Sequence, residues 1–243
     1  MPMFPLVLFM LAPVLGAALP MPPPAGTLPD HGFRFVRVQF DSNAPGMRSM
    51  GGAPWSHDHP RAELQFYEAL ERTTQIHVEG PPLVLTLKDE RIFEHPLLYL
   101  CEPGYWTMDD EEVETLRAYL ERGGFILFDD FRGERELQQL YDQLKRLFPD
   151  REPVEIPPDH PIWSIYYDVD PVAAPSLVRG GFRFADYEDR YFALFDDRGR
   201  MMALLCYNQD IGDGWEWPER NVEDASTISF QMGINFLMYA LTH

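Results

Sequence analysis

The chain has 243 residues, 45% hydrophobic and 14% aromatic, enough to bury one ordinary domain core and too apolar for wholesale disorder. Against 39 acidic residues stand 20 basic ones, so the net charge is −19 and the surface repels phosphate backbones, which argues against nucleic acid as a partner. Lysine occurs only at Lys88 and Lys145, with no Gly-Lys-Ser or Gly-Lys-Thr, so a P-loop is excluded.

Residues 1–25 carry no charged side chain, and Pro5 to Leu19 is apolar throughout. Fifteen residues rise only about 22 Å as a helix, short of the roughly 30 Å hydrocarbon core. Gly16-Ala17-Ala18 supplies the small residues that a signal peptidase needs. We therefore expect residues 1–25 to be a signal peptide with a Pro-rich leader, and residues 26–243 to be one exported, periplasmic domain. No stable membrane span is expected in the mature chain.

Phe33 to Phe40 alternates apolar residues with Arg34, Arg37 and Gln39, which predicts a strand. A Gly, Met and Ser-rich loop follows, then Trp55-Ser56-His57-Asp58-His59-Pro60. Pro60 opens a predicted helix with Leu64, Tyr67 and Leu70 on its apolar side and Asp58 as its cap. Leu83–Leu87 and Leu97–Cys101 are short continuous apolar runs, the pattern of strands buried on both faces.

Thr107 with Asp110 resembles a capping box, and Val113, Leu116, Arg117 and Leu120 follow helical spacing until Gly123-Gly124. Phe125–Phe128 then reads as a buried strand stopped by Asp129-Asp130, followed by a helix over Leu137, Leu140, Tyr141, Leu144 and Leu147. Helix, strand, helix with short turns is the grammar of a mostly parallel sheet covered on both faces. Pro-rich irregular chain runs from Glu152 to Pro175. Strands at Tyr191–Phe195 and Met201–Tyr207 flank a turn at 196–199, and the chain ends on a buried helix beginning at Asp224.

Four groups of residues carry candidate chemistry. Asp129 and Asp130 sit where ligands bind in open α/β sheets, one placed to cap the next helix and the other to face the crevice. Asn208 to Trp217 gathers Asp210, Asp213, two glycines, Trp215 and Trp217 past a strand, a loop suited to a divalent cation or a sugar ring. His57, Asp58 and His59 offer a His-x-His pattern with no third ligand identifiable. Asp159-His160-Pro161 supplies one more polar group. Cys101 and Cys206 lie in apolar runs and read as small core residues. There is no Gly-x-Ser-x-Gly or Gly-x-Cys-x-Gly, so a serine or cysteine nucleophile finds no frame.

Several of these segments occur in the order of one bacterial family. They are Trp55, Asp58 and Pro60; Cys101-Glu102-Pro103-Gly104-Tyr105-Trp106; Gly123-Gly124-Phe125 with Asp129-Asp130-Phe131; Asp159-His160-Pro161-Ile162; Asn208 to Trp217; and Gly233-Ile234-Asn235 to His243. The chain resembles domain of unknown function 4159 from about Phe33 to His243. The resemblance implies a class I glutamine amidotransferase-like, flavodoxin-like three-layer α/β sandwich. It also implies a setting near MoxR-type ATPases and von Willebrand A-like envelope proteins, and it supplies no reaction.

The residues and the resemblance together give two functional expectations. The first is a binding or interaction module of the cell envelope, taking an envelope protein or a glycan-like ligand. Trp55, Asp58, Asn208, Asp210, Asp213 and Trp215 would form its site at the C-terminal edge of the sheet. The second is a carboxylate-based hydrolase of a glycan or other neutral substrate, with Asp129, Asp130 and His160 as catalytic candidates. Its cofactor would be a divalent cation on Asp129, Asp210 and Asp213. A purely structural component that docks a basic partner through its acidic surface is a third.

Overall fold

Three runs of apolar sequence form the middle of the sheet: β3 (Leu97–Cys101), β4 (Phe125–Phe131) and β7 (Met201–Tyr207), every residue of each buried. Strands that bury both faces need helices on both sides, and the chain supplies them. β1 (Val36–Val38) and β2 (Leu83–Leu85) extend the sheet on one side, β6 (Arg190–Phe195) and β5 (Val154–Glu155) on the other. The order is β2-β1-β3-β4-β7-β6-β5, parallel from β2 to β7 and antiparallel for the last two. The computed structural model describes residues 32–42, 52–171, 188–221 and 224–243. The expected leader over 1–25, most of the Gly, Met and Ser-rich loop, and residues 172–175 of the Pro-rich stretch lie outside them.

The helices fall into two layers. α1 (Arg61–Thr73), the short α4 (Ile211–Glu216) and α5 (Ala225–Thr242) pack on one face with Phe35, Tyr99 and Leu127. α2 (Asp110–Glu121) and α3 (Gly133–Leu147) cover the other with Val36, Leu98 and Phe128. The result is a three-layer α/β architecture, as the helix–strand–helix pattern implies. No helix among the described residues is long and apolar enough to cross a membrane.

Several local expectations change. The first strand contracts to three residues, and Arg37, assigned to its polar side, is fully buried. Leu64, assigned to the apolar side of α1, is 51% exposed, because Ala62, Phe66, Tyr67 and Leu70 make the buried stripe. Asp58 does not cap α1 through its side chain, which has no hydrogen bond there. The capping box of α2 is one of Asp109 with Glu112, two residues along from Thr107. β4 does not stop at Asp129 but carries both aspartates within it. The Asn208–Trp217 stretch, read as a loop, contains the helix α4.

This topology decides where a site forms. From β1 the chain steps outward to β2, then crosses back to β3 and continues to β4, so β1 and β3 are neighbours whose connections leave in opposite directions. The crevice at the carboxyl ends of two such strands is where open α/β sheets bind ligands.

Candidate active site

The loop after β1 and the ends of β3, β4 and β7 converge at that crevice. Each of these four segments carries a non-glycine residue in left-handed conformation: Asp58 (φ 63°), Glu102 (φ 50°), Asp130 (φ 56°) and Asn208 (φ 62°). Such residues cost about 1–2 kcal/mol each, least for Asp and Asn, and persist only where the surroundings hold them. Left-handed turns cluster at one edge of the sheet.

Arg37 is the foundation of the loop. It is sealed inside β1, pairs with Glu63 of α1, and lies 4.7 Å above the Tyr99 ring. Its Nη1 donates to the carbonyls of Trp55 and His57 at 3.1 and 2.8 Å, so a buried guanidinium fixes the path of residues 55–57. That path aims the His57 ring at the ends of β3 and β4.

His57 Nδ1 donates to Asp130 Oδ2 at 2.7 Å and lies 3.2 Å from Glu102 Oε1. The other ring nitrogen, Nε2, stands 3.7 Å from Asp58 Oδ1. The imidazole is 39% exposed at its side chain, whereas the carboxylates of Asp130 and Asp58 are 0% and 1% exposed. His57 is therefore the solvent-facing member of a buried acidic group. Its hydrogen bond to Asp130, with help from Cys101 and Glu102, holds the imidazolium far above the usual histidine range.

The two adjacent aspartates play different parts, and neither caps α3, whose N-cap is Arg132 with no side-chain bond. Asp129 turns into the α1–α5 layer and accepts from Tyr99 Oη at 2.8 Å and from the Ile211 and Gly212 amides at 3.1 and 2.8 Å. Both of its oxygens are spent on docking the N-terminus of α4. Asp130 faces the crevice between His57 and Arg132, whose Nη2 lies 2.8 Å from Oδ1. Burial would raise its pKa, but the charge of Arg132 and the hydrogen bond from His57 hold it below the usual carboxylate range.

Asp58 is the unusual member. Both carboxyl oxygens are sealed from solvent and neither has a hydrogen-bond partner. Burial pushes its pKa up to about 8, against the charge of His57. Around it stand donors of several kinds. A His57 nitrogen, an Asp58 oxygen and Cys101 Sγ lie within 4.8 Å of one another, and so do oxygens of Asp58, Asp213 and Glu216. Gly212 makes room for it, since a Cβ there would stand 2.7 Å from Asp58 Oδ2 and 2.6 Å from Tyr99 Oη.

The other expected residues separate. Asp210 caps α4 through the Asp213 amide and pairs with Arg132 at 2.8 Å, so both oxygens are engaged. Asn208 accepts from the Gly133 amide and donates to the Glu188 carbonyl, tying β7 to the start of α3. Trp215, expected at a ligand rim, is 1% exposed and packs among Phe35, Phe66 and Tyr99. Trp55 is half-buried beside His59, with its centroid 6.4 Å from that ring. His160 does not join Asp129 and Asp130. It accepts from the Ile162 amide and stands beside Phe195 and Tyr239, where Tyr239 Oη receives the Met201 amide at the start of β7, the opposite edge of the sheet.

Sequence reading missed Arg37, Glu102, Arg132 and Glu216, and set Cys101 aside as core. An arginine amid the apolar residues of Phe33–Phe40 and a glutamate directly after a buried strand are the signals that were present. The partner of the His-x-His pattern was not legible, because Asp130 lies 73 residues from His57.

A comparison with curated proteins gives no match. A family profile matches residues 34–241, which span the site and nearly all of the described fold. The chain belongs to the family described as domain of unknown function DUF4159.

Proposed function

We propose that this chain is a hydrolase whose reacting centre is the group formed by His57, Asp58 and Asp130. The observation that carries this reading is the His57 ring, held by Asp130 at Nδ1 and presenting Nε2 to the crevice opposite Asp58. A carboxylate on one imidazole nitrogen fixes the ring's orientation and favours the imidazolium, whose Nε2–H is then the proton that His57 would give to a leaving group. Asp130 is a left-handed residue near the end of β4, shortly before α3, and is comparable with the strained strand-to-helix turn that carries an exposed nucleophile in α/β hydrolases. Here the carboxylate is sealed, so it orients His57 and does not attack. A water beside Asp58 would be the attacking group, its proton passing to the Asp58 carboxylate while the imidazolium gives its Nε2 proton to the leaving group.

Glu102, Asp213 and Glu216 stand beside this group, with Arg132 already paired to Asp130. That balance favours a neutral or cationic substrate and disfavours a phosphate or polycarboxylate. An aromatic ligand rim has less support, because Trp215 is a core residue. We also take residues 1–25 as an export signal, which would place the hydrolysis in the envelope. The amidotransferase-like fold class remains part of this proposal, favoured by the 2-1-3-4 strand order.

The test is turnover of a panel of neutral esters, amides and glycosides by wild type and by His57→Gln and Asp130→Asn, with divalent ions supplied. Either change is expected to lower turnover by about 10²–10⁴-fold, the usual worth of a positioned proton-transfer group. Turnover indifferent to both substitutions, or none across the panel, would overturn the reading.

A further inference from the structure

We propose that His57, Asp58 and Cys101 bind one divalent transition-metal ion of the zinc class, leaving one position open to the crevice. This inference uses the proposed hydrolase only for where the chemistry happens; the binding argument stands on the donors themselves. The three donors come from two segments at the switch point, the loop after β1 and the last residue of β3, and lie within 4.8 Å of one another. Nε2 of His57 and Oδ1 of Asp58 are 3.7 Å apart, a little wider than the roughly 3.3 Å edge of a tetrahedron whose ligands lie about 2 Å from the ion.

A cluster of acids alone would carry nothing. What singles this one out is the Asp58 carboxylate, 1% exposed, with no hydrogen bond to either oxygen and only the His57 ring at 3.7 Å beside it. Buried carboxylates are hydrogen-bonded or coordinate a cation, because desolvated lone pairs with no donor are strongly unfavourable. The hydrogen bonds that would satisfy a structural aspartate are missing, although Asp129 and Asp210 nearby have theirs.

The surroundings match those of a metal ligand. A histidine on a metal donates its other ring N–H to a carboxylate, and His57 Nδ1 does so to Asp130 at 2.7 Å, which Arg132 holds in turn. The donor types also select the ion. One imidazole, one carboxylate and one thiol suit zinc, cobalt or iron, whereas calcium and magnesium demand oxygen. In the free protein burial keeps the Cys101 thiol protonated and Asp130 favours the His57 imidazolium, so coordination releases the proton of Sγ and that of Nε2. Three protein ligands and an open position are the form of a catalytic zinc site, in which the ion lowers the pKa of a bound water. Asp213 and Glu216, which offer oxygen alone on the far side of Asp58, would line its approach.

The experiment is titration of the metal-stripped full domain with Co²⁺, read by optical absorption and thermal unfolding. We expect one equivalent to bind, raise the unfolding temperature and give a near-ultraviolet thiolate-to-cobalt band that Zn²⁺ abolishes. Cys101→Ser should remove the band, and Asp58→Asn and His57→Gln should each weaken binding by about tenfold or more. Cys206→Ser, the other buried cysteine, should change nothing. Circular dichroism of each variant establishes that it is folded; should Cys101→Ser not fold, Asp58→Asn with the Cys206→Ser control carries the test.

Absence of binding, preference for Ca²⁺ or Mg²⁺ over Co²⁺, or a band that survives Cys101→Ser would overturn the inference. Binding is read without turnover, so its failure is separable from that of the hydrolase reading. A metal-free protein with His57-dependent turnover refutes only the ion, and a metal-binding protein with no turnover refutes only the reaction.

Discussion

The two edges of the sheet both gather charge, and they treat it in opposite ways. At the N-terminal edge a cavity is lined by Arg122, Arg151, Arg198 and Arg200 together with Glu121, Asp196 and Asp197. Arg200 pairs with Asp196 and donates to the carbonyls of Leu120 and Gly124, stapling the β6–β7 hairpin to the end of α2. Arg151 likewise joins Asp197 and the Phe195 carbonyl. At the C-terminal edge the arginines Arg37 and Arg132 are spent on holding a loop and a carboxylate, and Asp58 is left without a hydrogen bond. A charged cluster whose hydrogen bonds close is a staple; one that stays open is poised for a ligand. The difference lies in unpaired atoms and not in charge density.

Stability measurements can break that comparison. The largest effect is expected at the closed edge. Arg200→Ala removes the pairing with Asp196 and the guanidinium hydrogen bonds to the Leu120 and Gly124 carbonyls, and should cost about 2–4 kcal/mol in urea unfolding, from several charge-assisted hydrogen bonds at roughly 1.5 kcal/mol or more each. Turnover and metal binding should not move. A loss below about 0.5 kcal/mol would place this edge among ordinary surface ion pairs.

A pH effect belongs to the same edge. His95, just before β3, is buried, and that burial, reinforced by the charges of Arg34 and Arg91, lowers its pKa to about 4. An unfolded histidine titrates near 6.5, so between about pH 6.5 and 4 the unfolded chain binds a proton that the folded one does not. Stability from neutral His95 is full above about 6.5 and is lost as pH falls through that window. His95→Gln should remove on the order of 2–3 kcal/mol from the difference in unfolding free energy between pH 7 and pH 4.5. An unchanged difference would assign the acid sensitivity to the carboxylates alone.

The smallest effect sharpens the contrast from the open edge. Without metal, Asp58→Asn removes a buried acid that has no hydrogen bond, so stability should stay within about 1 kcal/mol of wild type or rise. The same change is the one expected to damage metal binding. A loss of more than about 2 kcal/mol would mean that Asp58 is a structural residue after all.

Much of the fold was legible because burial writes itself into short-range pattern. The apolar runs at 97–101, 125–128 and 201–207, the Gly123-Gly124 stop and the turn at 196–199 each declare an element without reference to the rest of the chain. Errors came where two local signals competed. Leu64 looks buried by spacing, yet α1 is rotated so that Phe66 reaches Trp215. Trp215 looks like a ligand platform by its company of acids and glycines, yet α4 turns it into the core, its Nε1 bonded to the Ser229 carbonyl.

The site was half legible. Asp129 and Asp130 stand at the edge where a parallel sheet binds ligands, and that placement follows from a strand, a short turn and a helix. Which of the two faces the crevice does not follow, since alternation along β4 sends adjacent side chains to opposite faces and only the packed layers decide which face is which. Sequence alone determined a covered parallel sheet, its central strands and the edge where charge collects, because hydrophobic periodicity is local. Tertiary structure decided that His57, Asp58, Cys101 and Asp130 meet, that His160 stands at the far edge, and that the Asp58 oxygens have no hydrogen bond. Those facts depend on strand order and on which hydrogen bonds close, and neither is encoded in the spacing of residues along the chain.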